Sequence, residues 1–180
     1  MMKENTVLQK KICLLGPFGV GKTSLVERFV YNRFSDTYLT TLGVRISKKI
    51  LPPLENLPGG RIIQHHFFIW DIAGMEKFDT VVKNYFRGAS GALAVMDLTR
   101  PETESALESI CQKFLDVSPD ASLLVLGNKE DIFDGSTDVL DSVQNLANKF
   151  STSFLLTSAK TGKAVEEAFQ TLSLKIAEKE

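Results

Sequence analysis

The run Gly16-Pro17-Phe18-Gly19-Val20-Gly21-Lys22-Thr23, followed by Ser24, fits the spacing G-x-x-x-x-G-K-[ST]. Glycines placed this way let the backbone turn successive N–H groups inward around an anion, and a helix starting there adds its positive end. In such a loop Phe18, Gly19, Val20, Gly21 and Ser24 lie along a nucleoside triphosphate. Lys22 reaches the terminal phosphates and the Thr23 hydroxyl ligates Mg²⁺. The competing reading is a glycine-rich turn with no ligand, so the flanks decide. Residues 10–15 read as a short strand, and Leu25, Val26, Phe29 and Val30 carry helical spacing through 23–31.

Three further stretches carry polar groups at the ends of apolar runs. Asp71-Ile72-Ala73-Gly74 follows Phe67-Phe68-Ile69-Trp70; a carboxylate there holds Mg²⁺ through water, and a glycine lets its own N–H approach a terminal phosphate. Alone, this pattern is as often an ordinary strand-end turn. Asn128-Lys129-Glu130-Asp131 follows Leu123–Gly127, and Ser158-Ala159-Lys160 follows Phe154-Leu155-Leu156. Together they suit guanine. Asp131 accepts from the ring N–H and the exocyclic amine, a donor pair adenine lacks, and the Ala159 N–H donates to O6. Asn128 ties the loops and approaches N7, while the Lys129 stem lies along the ring. A polar site of this kind rejects the wrong base by ~10⁴ or more, because mispaired buried groups are left unsatisfied. An ATP-using enzyme such as a kinase would leave these residues without a role.

The elements that must position these groups alternate along the chain. Strands are expected at 10–15, 44–51, 62–71, 91–97, 122–127 and 153–157, and helices at 22–32, 79–87, 102–117, 139–149 and 163–178. Such alternation predicts an α/β fold with a mainly parallel sheet, which binds ligands beyond the carboxyl ends of its strands. Residues 34–43 are polar, threonine-rich and too long for a tight turn, so they read as a mobile loop. Residues 52–60 are dense in proline and glycine and read as an extended hairpin loop. A tolerated surface insertion is favoured there over a binding element, since long hairpin loops cost little.

Composition narrows the class. At 180 residues, 43% hydrophobic and net charge -1, the chain suits one domain and has no overall basic field for nucleic acid or an acidic membrane. Cys13 and Cys111 read as buried thiols of a reduced compartment, without zinc spacing. His65 and His66 alternate on one strand, which argues against a shared metal and for ordinary, partly exposed positions. No apolar run approaches the ~20 residues that span a bilayer.

With all four nucleotide motifs in order, the chain resembles a small GTPase of the Ras superfamily from about residue 10 to its end. It is most similar to the Rab branch through Thr41-Leu42-Gly43-Val44, the run Trp70–Phe78, and Tyr85-Phe86-Arg87-Gly88-Ala89. The resemblance implies a P-loop NTPase G domain over 10–180, preceded by an extension at 1–9. Its six-stranded, mostly parallel sheet would have one antiparallel edge strand and helices on both faces. It implies GTP/GDP and Mg²⁺ as ligands, with two switch loops that γ-phosphate and Mg²⁺ order and hydrolysis releases. Switch I would be 34–43, with Phe34 stacking on guanine, Tyr38 near the phosphates and Thr41 joining Thr23 and Asp71 on the metal. Switch II would run over 71–87. Effectors, an exchange factor and an activating protein would meet these switches, and a monomer is expected.

Departures from the family pattern bear on catalysis, where Lys22, Thr41, Gly74 and residue 75 are the expected participants. The family places a glutamine after Asp-x-x-Gly to orient water, and Met75 stands here, a thioether that accepts only weakly. The third loop residue is usually small, and Phe18 would crowd an incoming arginine finger, a group that contributes ~10³–10⁵ in rate. Slow intrinsic hydrolysis is therefore expected, with a non-hydrolysing GTP-binding scaffold as the alternative. A second possibility is that Phe18 and Met75 form a hydrophobic latch over the nucleotide. Arg45 and Ile46 replace the usual acidic and aromatic residues after Gly-Val, while Trp70 and Tyr85 suit either an effector patch or a strand-face role. The end at Ala177-Glu178-Lys179-Glu180 lacks the cysteines of a prenylated tail. The expectation is a cytoplasmic or partner-recruited protein, or a chain cut at its last helix, the doubled Met1-Met2 hinting at a recombinant start.

Overall fold

Ile12, Cys13, Leu14 and Leu15 are all wholly buried, as only a strand covered on both faces allows. They belong to β1 (Asn5–Leu15), at the middle of a six-stranded sheet with β2 (Val44–Ile50), β3 (Ile62–Ile72), β4 (Gly91–Asp97), β5 (Ser122–Asn128) and β6 (Phe154–Leu156). The order is β2-β3-β1-β4-β5-β6; β2 runs antiparallel to β3 at the edge, and every other pair is parallel. This is the expected α/β sheet. The computed structural model describes residues 5–37, 40–74 and 80–180. The readings placed on Tyr38 and Met75 lie outside the described residues.

The helices are α1 (Lys22–Tyr31), α2 (Thr80–Phe86), α3 (Thr103–Val117), α4 (Thr137–Lys149) and α5 (Val165–Ala177). Alternating residues of the strands feed two cores. Ile12, Leu14, Phe67, Ile69, Leu93 and Val95 meet Leu25 and Phe29 of α1 and Phe169 and Leu172 of α5. Cys13, Leu15, Ala92, Ala94 and Met96 meet Phe86 of α2, Phe114 of α3 and Val143 of α4. Phe29 stacks on Phe169 with centroids 3.8 Å apart, and Phe86 meets Phe114 edge-on at 5.2 Å. Fully burying one such ring contributes about 1.5–3 kcal/mol. Both thiols are free and buried as expected, and burial pushes each up to about 12.

The pole away from the nucleotide motifs differs from expectation. Strand β1 starts at Asn5 rather than at residue 10, because Asn5–Gln9 pair in parallel with Ile62–His66 of an equally long β3. The loop at 52–60 is also no free insertion. Leu54 bridges Ile63, a 3-10 turn spans Pro58–Gly60, and Leu54 and Leu57 pack with Leu8, Ile63 and Ala177 in a third, small core. His65, expected to be partly exposed, is wholly buried. It shares a face of β3 with Ile63, Phe67 and Ile69, each of them buried, and its Nδ1 lies 2.8 Å from Ser173 Oγ on α5. Its Nε2 stands 3.5 Å from a Glu180 carboxylate oxygen, and Glu180 also pairs with Lys10. Two helix starts shift by two residues: α4 begins at Thr137 rather than at residue 139, and α5 at Val165 rather than at 163.

Candidate functional site

Each polar motif lies at or just beyond the carboxyl end of a parallel strand. Gly16 follows β1, Ala73 and Gly74 follow β3, Lys129 follows β5, and Thr157 to Lys160 follow β6, which is where open α/β sheets gather ligands. Two glycines of the first loop are required by close approach. A Cβ on Gly16 would stand 2.5 Å from the Val95 carbonyl oxygen, and one on Gly21, at φ +101°, would stand 2.3 Å from Asn128 Nδ2. No acidic residue of α1 itself occupies its first turn, so no side chain of the helix offsets its positive end.

Lys22 is buried and donates from Nζ to the carbonyls of Gly16 at 2.8 Å and Pro17 at 3.0 Å. Burial lowers its ammonium from 10.5 to about 8, against the opposing charge of Asp71. The three residues expected to hold a metal converge. Thr23 Oγ1 is 2.7 Å from Thr41 Oγ1 and donates to Asp71 Oδ2 at 2.6 Å. Asp71 is 1% exposed, and its other oxygen, Oδ1, has no hydrogen-bond partner among the described residues. Burial raises its carboxyl above the usual range, although Thr23, Lys22 and Arg45 pull the other way. A buried carboxylate oxygen without a donor, beside two hydroxyls, is a donor set that fits a hard divalent cation such as Mg²⁺.

The switch segments touch one another and the first loop. The Ala73 N–H donates to the Gly43 carbonyl at 2.8 Å. A Cβ on Gly74 would stand 2.8 Å from Phe18 Cβ and 2.9 Å from Phe18 Cα, so only a glycine fits there. The Phe18 side chain is itself 40% exposed. Phe34 is half-buried against the α1/α5 core. Arg45 pairs with Glu27 at 2.5 Å, Ile46 is about half exposed, and the Trp70 and Tyr85 rings lie 6.1 Å apart. Both of these aromatics pack on the α2/α3 core and stay partly exposed.

Asn128 joins the loops. Its Nδ2 donates to the Val20 carbonyl at 2.9 Å, and its Oδ1 accepts from Thr157 Oγ1 at 3.2 Å and from the Ala159 N–H at 3.3 Å. Asp131 accepts from Ser158 Oγ at 2.6 Å, which orients the carboxylate expected to read guanine. Lys129, at φ 68°, turns the chain out of β5 and brings its Nζ to 2.6 Å from Asp97. Lys160 Nζ lies 3.4 Å from Asp36, across from the start of the 34–43 loop.

Several residues that the motifs did not reveal also build the site. Arg28 of α1 donates from Nε to the Ala159 carbonyl at 2.9 Å and from Nη2 to the Lys160 carbonyl at 2.6 Å, holding the third loop to the first helix. Asp97 ends β4 and receives Lys129, Thr99 and Arg100. Its signal was visible, an acid closing an apolar strand in the manner of Asp71. Arg28 gave none, because its partners lie 131 and 132 positions away.

Comparison with known proteins bears on the family. The Ras family profile matches residues 11–178. The chain is 36% identical over 170 residues to the Ras-related protein Rab-4A of Mus musculus, covering 94% of this chain and 75% of that protein. It is 32% identical over 171 residues to Ras-related protein Rab-31 of Homo sapiens, covering 94% and 84%. Ras-related protein Rab-8B of Pongo abelii is 35% identical over 164 residues, covering 91% and 76%.

Proposed function

The chain belongs to the Ras family, whose members are GTPases that bind GTP or GDP with Mg²⁺, and from that premise we propose a Rab-like molecular switch with slow intrinsic hydrolysis. The observation that supports the slow rate is a bulky Phe18, 40% exposed on the phosphate loop with its backbone set against Gly74. Its ring would stand where an activating arginine enters. The sequence adds Met75 where a water-orienting glutamine belongs.

In this reading the backbone of Phe18, Gly19, Val20 and Gly21, with Lys22 and Ser24, cradles the phosphates. Lys22 moves its ammonium from the Gly16 and Pro17 carbonyls toward the terminal phosphates and offsets charge there. Thr23, Thr41 and Asp71 would hold Mg²⁺, which supplies neutralisation of the β- and γ-phosphate oxygens when bound. Gly74 donates its N–H to the γ-phosphate. Guanine lies against Phe34, Lys129, Ala159 and Lys160; Asn128 and Ser158 brace the loop, and Asp131 selects the base. Tyr38 borders the phosphates.

The Thr23–Thr41 and Ala73–Gly43 contacts support coupling of both switches to the bound phosphate. Partners read those switches over 34–43 and 71–87: an exchange factor, an activating protein and effectors, in vesicle trafficking. The chain acts as a monomeric G domain, whose sheet begins at Asn5 rather than at residue 10, and reaches membranes through partners; among the described residues no helix is long and apolar enough to cross one.

The test is single-turnover hydrolysis of radiolabelled GTP with Mg²⁺, for the wild type, Phe18→Gly and Met75→Gln. The expected result is GTP bound for hours by the wild type and faster decay in either variant. Decay as fast as in glutamine-bearing relatives would refute slow turnover, and no decay in any variant would leave the non-hydrolysing scaffold.

A further inference from the structure

We propose that Asp97 and Arg100 form a brace joining the phosphate loop to the base loop, and that this brace sets how long a guanine nucleotide stays bound; the inference rests on the nucleotide site proposed above. Asp97 is wholly buried at the end of β4. Its Oδ1 accepts from the Thr99 N–H at 2.9 Å and from Thr99 Oγ1 at 2.7 Å, which fixes the carboxylate plane. Its Oδ2 is shared. Arg100 Nε donates to it at 3.0 Å, and Lys129 Nζ approaches it to 2.6 Å from the other side. Thr103 Oγ1 in turn donates to the Arg100 carbonyl at 2.7 Å, pinning the turn that presents the guanidinium. Burial by itself would raise the Asp97 carboxyl, but hydrogen bonds from Lys129, Thr99 and Arg100 hold it below its ordinary value, so the acceptor is ionised.

The far end of Arg100 reaches the phosphate loop, where Nη2 donates to the Phe18 carbonyl at 2.9 Å. That carbonyl and the Gly19 N–H belong to one peptide plane and, in a trans peptide, point in opposite directions. Holding the carbonyl outward therefore turns the Gly19 N–H inward, toward the concave side of the loop. Gly19 sits at φ +76°, where glycine is favoured, and a Cβ there would crowd Arg100 Nη2 at 3.3 Å. The guanidinium fork serves two acceptors at once, Asp97 and the Phe18 carbonyl, a geometry that a lysine cannot reproduce. One buried carboxylate thus fixes both the base-loop lysine and the orientation of a phosphate-facing amide.

Neither residue would touch nucleotide, so both are positioning residues, and the brace predicts an asymmetry that general destabilisation does not. Arg100 acts on the phosphate end, whereas Asp97 acts on both ends. The experiment measures release of fluorescent GDP and competition by GMP, for the wild type, Arg100→Gln, Arg100→Lys and Asp97→Asn, with thermal unfolding alongside. The Arg100 side chain is 39% exposed, so Arg100→Gln is expected to fold even if Asp97→Asn does not. Arg100→Gln should speed GDP release by about tenfold, the effect of one charge-assisted hydrogen bond, while shifting GMP affinity by under about twofold. Arg100→Lys should recover part of the difference. Asp97→Asn should weaken GDP and GMP together, because Lys129 also loses its anchor. Equal losses for GMP and GDP in Arg100→Gln, or unchanged GDP release in the folded variants, would overturn the brace. Failure of the wild type to take up GDP would remove the nucleotide site and the brace with it.

Discussion

The burial of Lys22 makes nucleotide affinity depend on pH in a defined direction. Its ammonium is held at about 8 because burial disfavours the charge; a bound phosphate supplies negative charge and raises it again. Below about pH 8 the lysine is charged in both free and bound protein, and binding exchanges no proton. Above it, the free protein has lost a proton that the complex keeps, so binding takes one up and affinity falls. From about pH 7 to about pH 9 the charged fraction of free Lys22 drops from about nine-tenths to about one-tenth, so the GDP Kd should rise about tenfold. Stability of the free protein moves the opposite way. The unfolded chain, with lysine at 10.5, binds the extra proton between about 8 and 10.5, so stability rises with pH across that window. The assay is calorimetric GDP titration in two buffers of different ionisation enthalpy, with Lys22→Met as a weak-binding, pH-flat control. A wild-type affinity that is flat over the window, with no proton uptake near pH 9, would refute the reasoning.

Three other outcomes follow from single contacts. Gly74→Ala places a methyl 2.8 Å from Phe18 Cβ, 2.9 Å from its Cα and 3.1 Å from its nitrogen; it should cost ~1–3 kcal/mol in the melting of GDP-bound protein. Phe18→Gly in the same chain should restore little of this, since two of those three contacts are backbone. Leu57→Ala empties part of the small core under the 52–60 loop, where Leu57 is 5% exposed, and should lose ~2–3 kcal/mol in denaturant unfolding with GDP release unchanged. His65 is held below 6.5, first by burial and also by Lys10, with Glu180 opposing. The unfolded state therefore binds the extra proton as pH falls below about 6.5, and wild-type stability should decline there relative to His65→Gln, as paired acid titrations would show.

The nucleotide motifs were legible because each is contiguous. A loop that bends around phosphate, or a base reader at a strand end, needs particular residue types within four to eight positions, and the apolar run before it announces the strand. The sheet was legible for the same reason: Gly91–Asp97 and Ser122–Asn128 are uninterrupted buried runs that only a covered parallel strand accommodates. The lower pole was not. Whether Asn5–Gln9 form a strand depends on Ile62–His66 being there to pair with them, and whether residues 52–60 are free depends on Leu8 and Ala177 offering an apolar seat. His65 reads as a polar residue on a strand until α5 brings Ser173 to its Nδ1.

The same distinction separates the groups that would touch nucleotide from those that aim them. Thr23, Asp71, Asn128 and Asp131 announce themselves by type and spacing, whereas Arg28 and Arg100 do not, since an arginine on a helix or after a strand is ordinarily a solvated charge. Each becomes informative only when its guanidinium is seen to end on a backbone carbonyl of a distant loop, Ala159 and Lys160 for Arg28 and Phe18 for Arg100. Phe18 stands where these two kinds of information meet. Its side chain, readable in the sequence, bears on how an activating group could enter. Its carbonyl, readable only in the fold, bears on how the neighbouring amide is presented. Because the two act through different atoms, replacing the side chain should change hydrolysis without the change in nucleotide release that loss of Arg100 produces. If Phe18→Gly altered both together, the side chain and the carbonyl could not be separate controls.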